Sequence, residues 1–209
     1  MNRQLAYRND QPTLYLIATP IGNLEDITMR ALRILAEVDV IFAEDTRVTA
    51  KLLRHYNIEK PLKSYHDHNK ELMGPTAMEY FLKKQSIGLV SDAGTPLMND
   101  PGFELVLLAK HHGYNVVALP GPSALLTALA VSGIQPHPFV FYGFLPNRKQ
   151  KRLDELKRYL DSPDTLVFYE SPHRMKDTLH EMARILGDRV AYIGRELTKI
   201  YEEAIHGFW

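Results

Sequence analysis

The chain has 209 residues, of which 45% are hydrophobic and 24% are charged, and its formal net charge at neutral pH is zero. This length is sufficient for one large domain or two small ones, and the neutral charge predicts no overall attraction to nucleic acid or to an anionic membrane. The absence of cysteine excludes disulfides, thiolate zinc sites and cysteine nucleophiles, and it fits a reducing, cytoplasmic compartment.

The amino-terminal residues 1–11 are polar and contain Arg3, Arg8 and Asp10, without the apolar core of a signal peptide. We expect this arm to be loosely attached to the rest of the chain. Nowhere does an apolar run approach the ~20 residues that a membrane-spanning helix requires. The sequence therefore predicts a cytoplasmic protein without a membrane partner.

Short apolar runs alternate along the chain with segments in which apolar residues recur every three or four positions. This alternation is typical of α/β proteins and predicts a largely parallel sheet in the amino-terminal part. The predicted strands are residues 14–18, 38–43, 87–90, 115–119, 139–142, 165–169 and 190–193, and the predicted helices are residues 27–38, 46–56, 73–84, 101–112, 122–131, 150–160 and 172–186.

A break in composition occurs at residues 132–138, Ser-Gly-Ile-Gln-Pro-His-Pro, where two prolines and a glycine disfavour a helix. We therefore predict an amino-terminal α/β domain over residues 12–134 and a second α/β domain over residues 135–209. Residues 201–209 are interpreted as a last strand without a following partner. The second domain is accordingly expected to be incomplete at its carboxyl terminus.

The strongest functional signal lies in residues 87–102, where an apolar strand runs directly into a polar loop. Open α/β sheets bind ligands at the carboxyl ends of their strands. The loop offers hydroxyls, a carboxylate and a flexible backbone at Ser91, Asp92, Gly94 and Thr95. We expect Asp100 to cap the next helix, with Pro101 as the first helical residue.

Two other strands end in similar turns. Residues 18–28 follow the first strand, with Gly22 permitting the close approach of a ligand and Asp26 or Thr28 available to cap the next helix. Residues 119–124, Leu-Pro-Gly-Pro-Ser-Ala, repeat this arrangement after a later strand. Each turn alone is equally consistent with an ordinary connection between a strand and a helix.

Several familiar signatures are missing. The sequence contains no Gly-x-Gly-x-x-Gly after the first strand, no Walker A loop and no Gly-x-Ser-x-Gly motif, which weakens interpretations as an NAD-binding, ATP-binding or serine-hydrolase protein. His66-Asp67-His68 resembles a metal site superficially, but alternate side chains of an extended segment diverge. We predict a polar loop there and no metal.

Taken in order, six motifs resemble those of the tetrapyrrole methylase superfamily, and most closely those of its members that methylate ribosomal RNA. The resemblance spans nearly the whole chain after Thr13. The motifs are residues 18–28, Ala43-Glu-Asp-Thr-Arg47, Ser91-Asp-Ala-Gly-Thr-Pro96, Leu119-Pro-Gly-Pro-Ser-Ala124, Glu170-Ser-Pro-His-Arg174 and Arg195-Glu-Leu-Thr-Lys199.

This resemblance implies a two-domain fold that binds S-adenosylmethionine between the domains, and a homodimer. It also implies 2′-O-methylation of a cytidine in the decoding region of small-subunit ribosomal RNA. The implied cofactor contacts are Pro20, Ile21, Asp92, Gly94, Thr95, Ser123 and Ala124, with Tyr169 and Gly194 as looser candidates for the opposite wall.

The candidate catalytic groups are Asp45, Arg47, Glu196 and Lys199, which lie in these motifs, and His68, which lies outside them. Lys199 is the candidate for orienting or deprotonating the ribose hydroxyl, and Arg47 and Arg195 are candidates for holding phosphates. The alternative is that these acidic and basic groups form a structural lattice of ion pairs.

The densest basic run contains Arg148, Lys149, Lys151 and Arg152, and we predict that it contacts RNA, although a solvated helix start has the same pattern.

Two other functions remain open. A tetrapyrrole C-methyltransferase would use the same cofactor but a broad apolar groove, and a catalytically silent module would only bind S-adenosylmethionine.

Overall fold

A computed structural model describes residues 9–208 and shows two compact units, the first ending at Ser123 and the second beginning at Ala124. Arg3, Arg8 and Trp209, which belong to the predicted terminal segments, lie outside the described residues. The sequence places the domain boundary further along the chain, after Ile134, and that boundary stays a prediction.

The first unit is an α/β structure around a five-stranded parallel sheet with the strand order β3-β2-β4-β1-β5. The predicted parallel sheet is thereby confirmed. Its elements are β1 (Thr13–Ile17), α1 (Met29–Glu37), β2 (Val40–Ala43), α2 (Thr46–His55), β3 (Leu62–Ser64), α3 (Lys70–Leu82), β4 (Ile87–Val90), α4 (Phe103–His111) and β5 (Asn115–Leu119).

Both faces of this sheet are buried, and because successive side chains of a strand point in opposite directions, they pack into two different clusters. In β2, Val40 and Phe42 belong to the cluster that includes Phe81 of α3 and Leu105 of α4. The intervening Ile41 and Ala43 belong to a second cluster with side chains of α1 and α2. The unit therefore has three layers, with the sheet between two pairs of helices.

This two-sided burial fixes the register of the strands, since a slip by one residue would exchange the two faces. The last residues of all the strands are consequently paired neighbours across the sheet: Ser64 with Ala43, Ala43 with Val90, Val90 with Ile17, and Ile17 with Leu119. The loops that follow the strands all leave the sheet at one edge.

The second unit contains α5 (Ala124–Val131), β6 (Phe139–Phe144), α6 (Lys149–Lys157), β7 (Thr165–Tyr169), α7 (Met175–Leu186), β8 (Val190–Arg195) and β9 (Glu203–Phe208). β6 and β7 are parallel, whereas β8 and β9 form an antiparallel hairpin. The last predicted strand is therefore present over Glu203–Phe208, and its partner is the preceding strand.

Over residues 9–208, no helix combines the length and apolar character needed to cross a membrane.

Two sequence predictions of local structure need correction. Strand β3 was not predicted, because it has only three residues and none of them is fully buried. Helix α4 begins at Phe103 with Gly102 at the N-cap, so Asp100 does not cap it and Pro101 is not its first residue. Thr28, by contrast, caps α1 as predicted, since its side chain accepts a hydrogen bond from the Ala31 amide at 3.0 Å.

A buried ion pair joins α6 to α7 in the second unit. The Arg152 guanidinium donates to both carboxylate oxygens of Glu181, at 2.6 and 3.0 Å, and the two side chains are only 7% and 12% exposed. It also donates to the backbone carbonyls of Pro146 and Asn147. Arg152 thus anchors the loop before α6. Its guanidinium is buried, whereas the predicted contact with RNA requires an exposed cation.

Replacing Glu181 with alanine should destabilise the second unit by about 3 kcal/mol or more, because it leaves the Arg152 charge buried without its partner. Arg152 lowers the pKa of the Glu181 carboxyl below its ordinary value of 4.5. The stability that this ion pair contributes is therefore fully present above pH 4.5 and is lost as the pH falls through the lowered pKa. Urea unfolding at neutral pH measures the difference. Lys157→Ala, which removes an exposed partner of Asp154, is the control and should cost less than about 1 kcal/mol.

Candidate active site

The loops after β1 and β4 are joined to each other at the carboxyl edge of the sheet. The Thr19 amide donates to the Gly94 carbonyl, and the Gly94 amide donates to the Thr19 carbonyl, both at 2.9 Å. The Thr19 hydroxyl donates to the Ser91 carbonyl at 3.1 Å. Thr19 and Ser91, which lie 72 positions apart in sequence and belong to different motifs, are therefore joined by a buried hydrogen bond.

Gly94 permits this close approach. Its φ of +84° is in a region that favours glycine, and a Cβ atom there would lie 3.4 Å from Ile21. The predicted cofactor contacts Ile21 and Gly94 are thus adjacent, with Pro20 between Ile21 and the joined Thr19. These positions from two separate motifs line the same part of the edge.

The loop after β5 completes this group. The Thr95 hydroxyl donates to the Pro122 carbonyl at 3.2 Å, and a Cβ atom at Gly121 would lie only 2.7 Å from that of Ala18. Ser123 follows directly and precedes α5, of which Ala124 is the first residue. Three of the predicted cofactor-binding loops therefore meet within the first unit, as their positions after neighbouring strands predict.

The loop after β2 is connected to the same edge through a carboxylate. Asp92 accepts a hydrogen bond from the Asp45 amide at 2.9 Å. Asp45 itself caps α2 and forms a bidentate ion pair with Arg47. The hydrogen bonds from Arg47 lower the pKa of Asp45 to about 2. Asp45 is therefore an ionised helix cap, which makes it a poor general base.

Two further carboxylates that the sequence analysis did not assign to the site accompany Asp92. Burial raises the pKa of Glu44, and the neighbouring charges of Asp100 and Asp92 raise it further. Burial also raises the pKa of Asp100, against the effect of a hydrogen bond from Ser91. Glu44 could have been noticed, since it stands directly after a fully buried strand within the motif at residues 43–47.

The segment that carries Asp100 is strained. Leu97 and Asn99 have φ values of 72° and 77°, in a region that side chains with a Cβ rarely adopt. Gly102 has a φ of 141°, and a Cβ atom there would lie 2.7 Å from Leu89 and 2.8 Å from Leu97. The tightly packed Gly102 occupies the N-cap of α4, and the Asp100 carboxylate accepts a hydrogen bond from Ser91 in the loop and does not cap the helix.

His68 lies in the segment before α3 and is exposed, with its ring 5.8 Å from that of His66. Among the described residues, no group of three or more histidines, aspartates or glutamates has an arrangement that could hold a metal ion.

The remaining catalytic candidates lie in the second unit, at the turn of the β8–β9 hairpin. Lys199 donates to the Glu196 carboxylate at 3.1 Å, and Arg195 donates to Glu203 at 2.8 Å. All four side chains are between 43% and 61% exposed. Gly194, at the end of β8, has Tyr192 and Leu197 packed over it.

The motif at residues 170–174 shapes the loops of the second unit. Glu170 pairs with Arg174 at 2.6 Å and accepts the Thr178 hydroxyl at 2.7 Å, while Arg174 donates to the Asn147 side chain. Tyr169, the last residue of β7, packs against Phe141 and Phe144 of β6. The loop before the basic run is therefore held by two arginines, Arg174 and Arg152, while Arg148, Lys149 and Lys151 are exposed.

The comparisons with known proteins agree with this architecture. Residues 13–207 match the model of the family described as Tetrapyrrole (Corrin/Porphyrin) Methylases. A solved structure of uroporphyrin-III C-methyl transferase from Thermus thermophilus, complexed with S-adenyl homocysteine, superposes with a TM-score of 0.63 at 22% identity, covering 94% of this chain and 88% of that one. At this level of identity the likeness concerns the fold. The chain belongs to the tetrapyrrole methylase family.

Within this family, the chain is similar to proteins named ribosomal RNA small subunit methyltransferase I. It is 52% identical to the proteins of that name from Halalkalibacterium halodurans and Bacillus subtilis, in each case over 99% of this chain and 72% of the relative. It is 47% identical to the protein of that name from Escherichia coli O157:H7, over 99% of this chain and 72% of the relative.

Gly121→Ala tests the contact between the loops after β1 and β5. The added methyl would overlap Ala18, and overpacking of this kind should destabilise the first unit by about 1–3 kcal/mol. Gly74→Ala in α3 is the matched control, because its Cβ atom would make only an ordinary contact of 3.8 Å and alanine favours a helix. Thermal unfolding of the two variants compares these effects, and equal stabilities would contradict the proposed packing.

Proposed function

We propose that this protein is an S-adenosylmethionine-dependent methyltransferase that acts on the 2′-hydroxyl of a cytidine in small-subunit ribosomal RNA. The single observation that carries the proposal is the joined group of loops after β1, β4 and β5, whose sequences match the cofactor motifs of the family. The relatives named as ribosomal RNA methyltransferases support the choice of substrate.

The cofactor would lie against the group formed by Pro20, Ile21, Asp92, Gly94 and Thr95, with Ser123 and Ala124 at the start of α5. Its sulfonium and ammonium groups are cationic, and the carboxylates of Asp92, Glu44 and Asp100 supply opposite charge at this edge. Tyr169 and Gly194 are proposed as further contacts from the second unit.

Methyl transfer to a ribose hydroxyl breaks the carbon–sulfur bond, forms a carbon–oxygen bond and releases the hydroxyl proton. The sulfonium is a good leaving group, so the protein chiefly has to align the two reactants. Lys199 is the proposed group that orients the hydroxyl through its ammonium, which Glu196 holds in place, or that accepts the hydroxyl proton in its neutral amine form. Arg47, Arg195 and His68 are proposed to contact the RNA backbone.

The exposed cations Arg148, Lys149 and Lys151 form the proposed phosphate contacts of the second unit. The buried Arg152 and the half-buried Arg174 hold the loop from which these cations project, so the backbone at their base is largely fixed before RNA binds. Because the chain as a whole is neutral, we infer that the substrate is presented by a preassembled small ribosomal subunit in the cytoplasm.

We further infer a homodimer, as the resemblance implies. Helix α4 offers an apolar face for it, since Phe103 and Leu107, one turn apart, are 60% and 50% exposed.

A tetrapyrrole C-methyltransferase is the second candidate, supported by the structural likeness to the Thermus thermophilus enzyme. A catalytically silent module that only binds the cofactor is the third. The relatives at 47–52% identity and the exposed basic run favour an enzyme that acts on RNA over both alternatives.

Asp92→Ala should weaken S-adenosylmethionine binding by about 1.5–3 kcal/mol, because it removes a charged acceptor and also the hydrogen bond that orders the loop after β2. Isothermal titration calorimetry measures the affinity. Asp161→Ala, in an exposed turn, is the control and should leave it unchanged. Unchanged affinity in Asp92→Ala would refute the assignment of the cofactor to this edge.

Replacing Arg148, Lys149 and Lys151 together with alanine should weaken binding of small ribosomal subunits and reduce the dependence of that binding on salt, since fewer phosphate contacts release fewer counterions. Cofactor affinity should not change. A matched variant that removes three other exposed lysines, at positions 83, 84 and 110, controls for net charge. Equal losses in the two variants would contradict a specific role for the basic run.

Lys199→Ala should lower the single-turnover methylation rate by roughly 10²–10⁴-fold, with a smaller effect on the binding of either substrate. Lys199→Arg should be almost as slow, because arginine keeps the charge but does not become a neutral base. Lys176→Ala, exposed on α7, is the control. Normal turnover by both Lys199 variants would make this lysine structural.

A further inference from the structure

The turn between β8 and β9 is held in place by hydrogen bonds. Six residue pairs of the antiparallel ladder support it on both sides. Within the turn, the Lys199 amide donates to the Glu196 carbonyl at 3.0 Å and the Glu202 amide donates to the Lys199 carbonyl at 3.1 Å. The Glu202 carboxylate accepts the Thr198 amide at 2.5 Å, which closes the turn from the other side.

The backbone of this turn is also strained. Glu196 and Thr198 have φ values of 53° and 68°, and a β-branched residue such as threonine is rare in this region. Such conformations persist only where the surrounding structure enforces them, and they are concentrated at functional sites. The backbone of the turn is therefore held in one conformation.

The tip of this turn presents two large apolar side chains to solvent. Ile200 is 94% exposed and Tyr201 is 79% exposed, so neither contributes appreciably to the packing of the second unit. A large aromatic side chain that is almost fully exposed on a rigid turn is an effective stacking surface, because little conformational freedom is lost when a flat ligand binds.

The charges around the tip restrict what this surface can attract. Arg195 and Lys199 are each paired with a glutamate, and Glu202 adds another carboxylate, so the hairpin does not attract RNA through net charge. Exposed ion pairs of this kind contribute little stability, and a phosphate can take the place of the carboxylate. The distinctive feature that this hairpin offers a nucleic acid is the ring of Tyr201.

We propose that Tyr201, which lies in the same turn as Lys199, is a stacking platform for an unpaired base of the RNA substrate. This inference rests on the proposed function, since it needs an RNA with an unstacked base. Proteins that read single-stranded RNA stack such bases on aromatic side chains. Tyr201 would thus position the nucleotide strand beside the group proposed to act on the ribose hydroxyl.

Binding of undermethylated small ribosomal subunits to the purified protein tests this role. Tyr201→Ala should weaken binding about 5- to 150-fold, the range expected for one stacked base. Tyr201→Phe should restore it, because stacking requires the ring and not the hydroxyl. Ile200→Ala is the matched control, since it removes an exposed apolar side chain from the same tip, and it should bind almost normally. S-adenosylmethionine affinity should be the same in all variants.

Spectroscopy separates stacking from a general effect on the hairpin. With Tyr201→Trp, addition of a single-stranded oligoribonucleotide should quench the new tryptophan fluorescence, compared with the unsubstituted protein, whose single tryptophan is Trp209. Normal subunit binding by Tyr201→Ala, or equal losses in Tyr201→Ala and Ile200→Ala, would overturn the proposal. So would a change in oligomeric state with unchanged RNA affinity, which would assign the tip to a protein contact. If the unsubstituted protein methylates no ribosomal RNA, the proposed function itself fails.

Discussion

The alignment of the strand ends in the first unit is the constraint on which the rest of the site depends. Burial on both faces fixes the register of the sheet, and the register places Ile17, Ala43, Val90 and Leu119 side by side as the last residues of their strands. Loops that are far apart in sequence therefore begin side by side at one edge of the sheet. Only then can single hydrogen bonds, such as that from Thr95 to Pro122, connect them.

Electrostatics at this edge differ from those of the whole chain. The net charge is zero, yet burial raises the pKa of Glu44, and Asp100 and Asp92 are close enough for their charges to raise it further. Keeping carboxylates together has a cost in the free protein, which a cationic ligand would relieve. This cluster of carboxylates fits a sulfonium cofactor, and the exposed cations of the second unit fit a polyanionic substrate. Both features are local, since the net charge of the chain is zero.

Much of this arrangement could be predicted from the sequence, because it depends on local patterns. The buried strands have continuous apolar runs, and the loops that follow them are rich in glycine, proline and small polar residues, so the parallel sheet and the adjacency of residues 18–28, 91–96 and 119–124 follow from their order. The residue-by-residue roles of Pro20, Ile21, Ser123 and the other cofactor candidates stay predictions.

What could not be predicted depends on contacts that the sequence does not display. Asp100-Pro101 has the pattern of a helix start, but packing of Gly102 against Leu89 and Leu97 moves the cap to Gly102. Arg152 has the pattern of a surface cation, but its partner Glu181 lies 29 residues away on another helix. Likewise, the strained turn that exposes Tyr201 depends on backbone conformation, for which Glu196 and Thr198 give no sequence signal.

The most direct test is methyl transfer from labelled S-adenosylmethionine to undermethylated small ribosomal subunits, followed by mapping of the modified nucleotide. We expect label on the 2′-oxygen of a cytidine in the small-subunit RNA, and its loss when Asp92 is replaced with alanine at limiting cofactor. The absence of label from the RNA, with transfer instead to carbon atoms of a tetrapyrrole, would contradict the proposed function.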